Sequence, residues 1–190
     1  MRALLPSALF FLLLSCGGLN YPDKFHPPWP APEIRLKTGA ENYSLLEDRA
    51  KAKPAVTLVF FGFTHCPDIC PSTLKRIADA MKDLSAEQRA RLRVLFISID
   101  PARDTPEKSR DYARKFHPEM VGLSGGAQEI KKTAGDYRVF SEEKAGQITH
   151  ASGIYWINAG GGISKILPGD FKTGLLLSDL RASLGDKSSR

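Results

Sequence analysis

Val56-Thr57-Leu58-Val59-Phe60-Phe61-Gly62-Phe63-Thr64-His65-Cys66-Pro67-Asp68-Ile69-Cys70-Pro71 is the stretch whose reading decides the fold. Its first six residues are an apolar, β-rich run bounded by Pro54 and Gly62, which reads as a buried strand. Beyond Pro71, the residues Leu74, Ile77, Ala78, Met81 and Leu84 recur at helical spacing and predict a helix over 72–84. The cysteines therefore lie at a strand-to-helix turn. Pro71 suits the first helical position, where its missing N–H costs nothing. Cys70 then sits near the helix cap, at the dipole end that favours a thiolate. In an opening helical turn, positions i and i+4 share one face, so both sulfurs can address one object.

The rest of the chain says in which compartment those thiols work. With 190 residues, 42% hydrophobic and 25% charged, the sequence fits one domain plus appendages. Residues 1–15 read as a signal peptide: Arg2 opens it, and the apolar run 8–14 is far too short to span a bilayer. Leu13-Leu14-Ser15-Cys16 resembles a bacterial lipobox, which makes Cys16 the lipid-bearing residue; an ordinary signal cleavage is the alternative. The chain is then exported, as a lipoprotein on the outer face of the cytoplasmic membrane or in the periplasm. Residues 16–33 carry five prolines and read as an extended tether, at about 3 Å per residue. His26 and Trp29 belong to that tether. The formal charge of +6 comes without an aromatic-interleaved basic run, which argues against nucleic-acid binding. It suits an acidic partner or a membrane surface, or simply a basic, soluble exterior.

The domain is expected over 34–185, with a flexible tail at 186–190. Residues 42–46 read as a weak strand, 93–99 as a second core strand, and Thr105-Pro106 as the capped start of a helix reaching Phe116. A short extended piece covers 120–123, a helix 127–135, and a further extended piece 137–140. The segment 141–147 reads as a polar loop and 148–158 as one strand. Gly160-Gly161-Gly162 turns that strand into 163–167, and a final helix runs over 175–184. Strand, helix, strand, helix, strand, helix, hairpin, helix is the thioredoxin-like α/β plan: a central mixed sheet flanked by helices, closed by a C-terminal β-hairpin and helix. That topology brings the segment around His150 toward the thiols.

Cys66 and Cys70 close too small a loop to stabilise the fold much as a passive disulfide, so in an oxidising compartment the pair reads as redox-active or metal-binding. Two thiolates are soft ligands suited to Cu(I) or Zn(II), and an added imidazole extends the set to Cu(II). His150 is the best third ligand, although on the residues alone it is equally a strand-end histidine facing solvent. His65 reads as structural and His117 as a helix end.

Phe61 to Leu74 resembles the signature of the Sco/SenC family of copper-binding proteins, and Ser98-Ile99-Asp100-Pro101-Ala102-Arg103-Asp104-Thr105-Pro106-Glu107 resembles that family's second signature. His150, ahead of Tyr155 and the glycine-rich hairpin, is similar to its third. The resemblance covers roughly residues 34–184. It implies a thioredoxin-like fold and one copper ion held by Cys66, Cys70 and His150. It also implies delivery of that copper to the CuA-bearing subunit of cytochrome c oxidase, with reduction of the recipient's disulfide by the Cys66/Cys70 pair as a second role. Other copper carriers and a thioredoxin-like reductant are the further partners it implies. Two places depart from the family pattern: Thr149 replaces the usual acidic residue, and Asn158-Ala159-Gly160-Gly161 replaces the usual hairpin turn. The alternatives are a metal-free thiol-disulfide oxidoreductase or a copper or redox sensor. Against the first, no proline falls between residues 119 and 167 to face the cysteines.

Overall fold

A computed structural model describes residues 28–139, 141–144, 147–150 and 153–185, with side chains described over 28–139 and 153–185. The proposed signal peptide, Cys16, the tether as far as residue 27 and the tail at 186–190 lie outside the described residues.

The apolar run forms β4 (Val56–Gly62), buried along its whole length. In chain order it follows β1 (Trp29–Pro30), β2 (Arg35–Thr38), β3 (Glu41–Ser44) and helix α1 (Leu45–Ala52). After it come α2 (Ile69–Lys82), α3 (Ala86–Ala90), β5 (Leu92–Ser98), α4 (Pro106–Phe116), β6 (Val121–Leu123) and α5 (Ala127–Asp136). A ribbon of β7 (Ser141–Lys144) and β8 (Gln147–His150) precedes β9 (Ile154–Asn158), β10 (Gly162–Leu167) and α6 (Thr173–Leu184). The main sheet has the order β1-β10-β9-β4-β5-β6. β4, β5 and β6 are parallel, while β9 and β10 run antiparallel on the other side of β4. This is the mixed, thioredoxin-like sheet expected, and it reaches back to Trp29-Pro30, upstream of Ile34.

Both faces of the sheet are covered, which is why β4 and β5 read as continuous apolar runs rather than alternating ones. Val56, Leu58 and Phe60 point into one core with α2 and α6. Val59 and Phe61 point into the other, with Leu45, Ile130 and Ala134. Cys70 belongs to the first core, and Cys66 packs against both, at the end of the sheet where the two faces meet.

Several boundaries differ from the sequence reading. The strand expected over 42–46 ends at Ser44, whose hydroxyl accepts the Glu47 N–H and starts α1; Ser-x-x-Glu is a capping signal that outweighs the apolar Leu45-Leu46 pair. α3 begins on a complete capping box between Ser85 and Gln88. Of the extended piece expected at 137–140, residues 137 and 138 are instead a helix end, with Tyr137 capping α5 and Arg138 at φ 55°; residue 140 lies outside the described residues. The polar loop expected over 141–147 forms β7 and the start of β8, and the strand expected over 148–158 is two strands in two sheets. Gly153 stands at the entry to β9, where a Cβ would lie 2.7 Å from the Ile166 methyl. Gly161, at φ +85°, makes the β9–β10 turn in a conformation that glycine adopts freely.

Candidate metal centre

β4 delivers the chain to Gly62, and the peptide then turns through Phe63-Thr64-His65-Cys66 before α2 begins. Helix α2 starts at Ile69, two residues earlier than Pro71 would set it. Cys70 is therefore inside the first turn, whereas Cys66 precedes the helix. The two sulfurs do not share a helical face. They are brought together because the turn folds Cys66 back over the helix start, where its Sγ accepts the Cys70 N–H at 3.4 Å. The first N–H groups of a helix have no intrahelical partner, and here a cysteine sulfur serves as one. Neither cysteine is in a disulfide in this structure.

Their environments differ. Cys66 is partly exposed, while Cys70 is fully buried. Burial pushes the Cys70 thiol well above the usual cysteine range, and proximity to Cys66 adds to the shift. The dipole argument, which favoured a Cys70 thiolate, loses here because desolvation is the larger effect. The β4 backbone approaches the same sulfur closely: a Cβ on Gly62 would lie 2.8 Å from Cys70 Sγ and 3.0 Å from the Phe96 ring.

Beside the thiols lies a polar cluster that the sequence reading did not foresee. Asp104, in the second signature, is 1% exposed. One carboxylate oxygen accepts the Thr64 N–H at 2.8 Å and the Ser98 hydroxyl at 2.6 Å. The other accepts the Thr64 hydroxyl at 2.6 Å and lies 3.3 Å from His65 Nδ1. With the Thr64 proton given to Asp104, His65 Nδ1 has to be the donor in its 3.2 Å contact with Thr64 Oγ1. Arg103 pairs with Asp100. His65, Asp100 and Asp104 bring potential metal-ligand atoms within 4.8 Å of one another. Both Asp104 oxygens already accept hydrogen bonds from Thr64 and Ser98, so this carboxylate acts as a hydrogen-bonded staple on the cysteine turn. The Asp-Thr-Pro sequence announced only a helix cap, and Thr105 does cap α4.

His150 ends β8, opposite Ser141 of β7, rather than opening the strand next to β4. Its side chain, and Thr149's, lie outside the described residues. His117 ends α4, as its sequence context suggested.

A profile of the SCO1/SenC family matches residues 42–185. The chain belongs to the SCO1/SenC family. It is 34% identical over 136 residues to the mitochondrial SCO2 homologue of Bos taurus, covering 65% of this chain and 51% of that protein. The chain thus spans about half the length of that relative. Among solved structures it resembles the apo Sco1 protein of Thermus thermophilus, with a TM-score of 0.73 at 29% identity over 84% of this chain and 94% of that one. It also resembles Bradyrhizobium japonicum ScoI with copper bound, with a TM-score of 0.69 at 29% identity over 81% and 99% of the two chains. Among the described residues, no helix is long and apolar enough to cross a membrane.

Proposed function

We propose that this SCO1/SenC protein carries one copper ion on Cys66, Cys70 and His150 and passes it to the CuA-bearing subunit of cytochrome c oxidase. The observation that carries the reading is the meeting of Cys66 and Cys70 at the opening of α2, one partly exposed and one buried, with no disulfide between them. Soft sulfur donors suit Cu(I), and an imidazole extends the set to Cu(II). Cys66 is the sulfur a recipient's ligand can approach from solvent, so exchange begins at that side. Cys70 holds its proton at neutral pH, and loading the ion there releases that proton. Copper-bound relatives of the same fold support the choice of metal.

The same pair, once oxidised to Cys66–Cys70, has no thiolate left for copper, so redox state gates loading. Reduction of a disulfide in the recipient's copper site, with re-reduction by a thioredoxin-like protein, is the second use of the dithiol. Lipidation at Cys16 would hold the domain at the outer face of the bacterial cytoplasmic membrane, behind the proline-rich tether.

The test is reconstitution of the reduced protein with Cu(I) and Cu(II), and measurement of metal per chain for wild type, Cys66→Ser, Cys70→Ser and His150→Ala. About one copper per wild-type chain is expected, with Cu(II) binding lost in each variant. Disulfide reductase activity that persists in His150→Ala, without copper uptake by wild type, would replace this reading with a metal-free oxidoreductase.

A further inference from the structure

The second signature, Ser98 to Glu107, contributes no proposed copper ligand, yet its Asp104 is tied to the residues just ahead of Cys66. The buried carboxylate binds Thr64 twice, through the backbone N–H and the hydroxyl, and holds His65 beside it. Ser98 anchors the same carboxylate to the end of β5. The Asp104 carbonyl accepts the Ser124 hydroxyl at 2.6 Å, and the Asp104 N–H donates to the Asp100 carbonyl at 2.9 Å. One side chain thus ties the end of β5 to the cysteine turn that follows β4, and its main chain ties in Ser124 just after β6. Cys66 is two residues beyond Thr64, and its sulfur is the acceptor for Cys70 N–H.

We propose that Asp104 is a positioning residue: through Thr64 it fixes Cys66 Sγ against the first turn of α2 and so sets the sulfur geometry that the site uses. The inference rests on the copper reading of Cys66 and Cys70, and it extends to their redox chemistry. A carboxylate offers about four acceptor positions; here three accept hydrogen bonds from Thr64 and Ser98, and His65 Nδ1 lies 3.3 Å from one of the oxygens. Asparagine keeps the shape but turns one oxygen into a donor, which then faces either the Thr64 N–H and Ser98 hydroxyl or the Thr64 hydroxyl and His65. In the second case the Thr64 hydroxyl can rotate to accept from the amide, but the charge that strengthens all of these bonds is gone, and the turn is held less firmly. The Cys70 N–H to Cys66 Sγ contact, which this structure shows in the dithiol form, is then weakened, and the dithiol becomes easier to oxidise.

The experiment compares wild type, Asp104→Asn, Thr64→Val and Ser124→Ala by Cu(I) competition titration, by equilibration with glutathione and by thermal unfolding. In the second assay the two thiols give up two electrons and two protons as they form Cys66–Cys70, and glutathione disulfide takes them up to give two glutathione thiols. Asp104→Asn is expected to shift that equilibrium roughly tenfold toward Cys66–Cys70, about 30 mV, and to weaken Cu(I) binding roughly tenfold or more. Thr64→Val, which keeps its N–H bond, moves both in the same direction by less. Ser124→Ala leaves the carboxylate alone and is expected to lower the unfolding temperature while moving neither. Asp104→Asn and Thr64→Val behaving like Ser124→Ala, with only the unfolding temperature changed, would overturn the proposal. Should Asp104→Asn not fold, Thr64→Val decides. Failure of wild type to take up copper would remove the copper reading instead, and the glutathione equilibrium would still decide whether Asp104 positions the pair.

Discussion

Replacing Gly62 with alanine probes how tightly β4 holds the buried thiol. The new Cβ would lie 2.8 Å from Cys70 Sγ, 3.0 Å from Phe96 and 3.3 Å from Phe60. Restoring ordinary contact at the sulfur needs a shift of about 0.6 Å in a close-packed interior. Cys70 is as fully buried as both rings, but its sulfur is the nearest atom and lies furthest inside ordinary contact distance, so the displacement falls first on it. Overpacking of this kind costs about 1–3 kcal/mol. Alanine lowers the entropy of the unfolded chain and offsets about 0.4–1 kcal/mol of that. The net loss is about 1–2 kcal/mol, or about 2–8 °C in Tm for a domain of this size. Because the displaced atom is a proposed ligand, copper affinity is expected to fall with stability, by roughly tenfold. Urea denaturation and Cu(I) competition on Gly62→Ala supply both numbers. Wild-type copper affinity, with or without a loss of stability, would refute the argument that the sulfur is the part that moves.

The apo, reduced protein should lose stability in alkaline solution. Folded Cys70 keeps its proton above the unfolded cysteine value, so the folded state binds more protons than the unfolded one from about pH 8.5 upward. Stability then falls by up to about 1.4 kcal/mol per pH unit, while below about pH 8.5 this contribution is fully present. Tyr43, Tyr112, Tyr137 and Tyr155 are also raised by burial and add to the loss only above about pH 10. Cys70→Ala should flatten the slope between those limits in urea titrations, and parallel curves would contradict it. A separate prediction concerns Lys165, which is 9% exposed, pairs with Asp179 and sets its ammonium 4.2 Å from the Trp156 ring centroid. Asp179→Asn should lower stability by about 1–2 kcal/mol, less than for a wholly buried pair because Asp179 is half exposed and the ring still faces the cation. An unchanged unfolding midpoint would contradict that.

Much of this architecture was legible in the sequence where one force dominates. β4 and β5 are apolar throughout because helices cover both faces of the sheet. α4 begins where Thr105-Pro106 says it should. The reading failed where local capping competed with apolar content, as at Ser44 before Leu45-Leu46. It failed again where a run of strand formers was cut: β8 and β9 join different sheets, and the sign of the break was Gly153. At the candidate centre, the cysteine spacing pointed to a shared helical face, which the structure does not have, because Cys66 precedes α2. Cys66 reaches Cys70 from a turn ahead of the helix. The spacing could not reveal that burial would raise the Cys70 thiol, because that depends on side chains of α2 and β4 packed around it. The Asp104 staple was invisible for the same reason, since its partners Thr64 and Ser98 come from the turn after β4 and from the end of β5.

X-ray absorption at the copper edge of the Cu(I)-loaded protein tests the central assignment most directly. Two sulfur scatterers and one nitrogen per copper are expected, with the nitrogen lost in His150→Ala and one sulfur lost in Cys66→Ser. A wild-type spectrum unchanged by His150→Ala, or one with fewer than two sulfurs, would contradict the account.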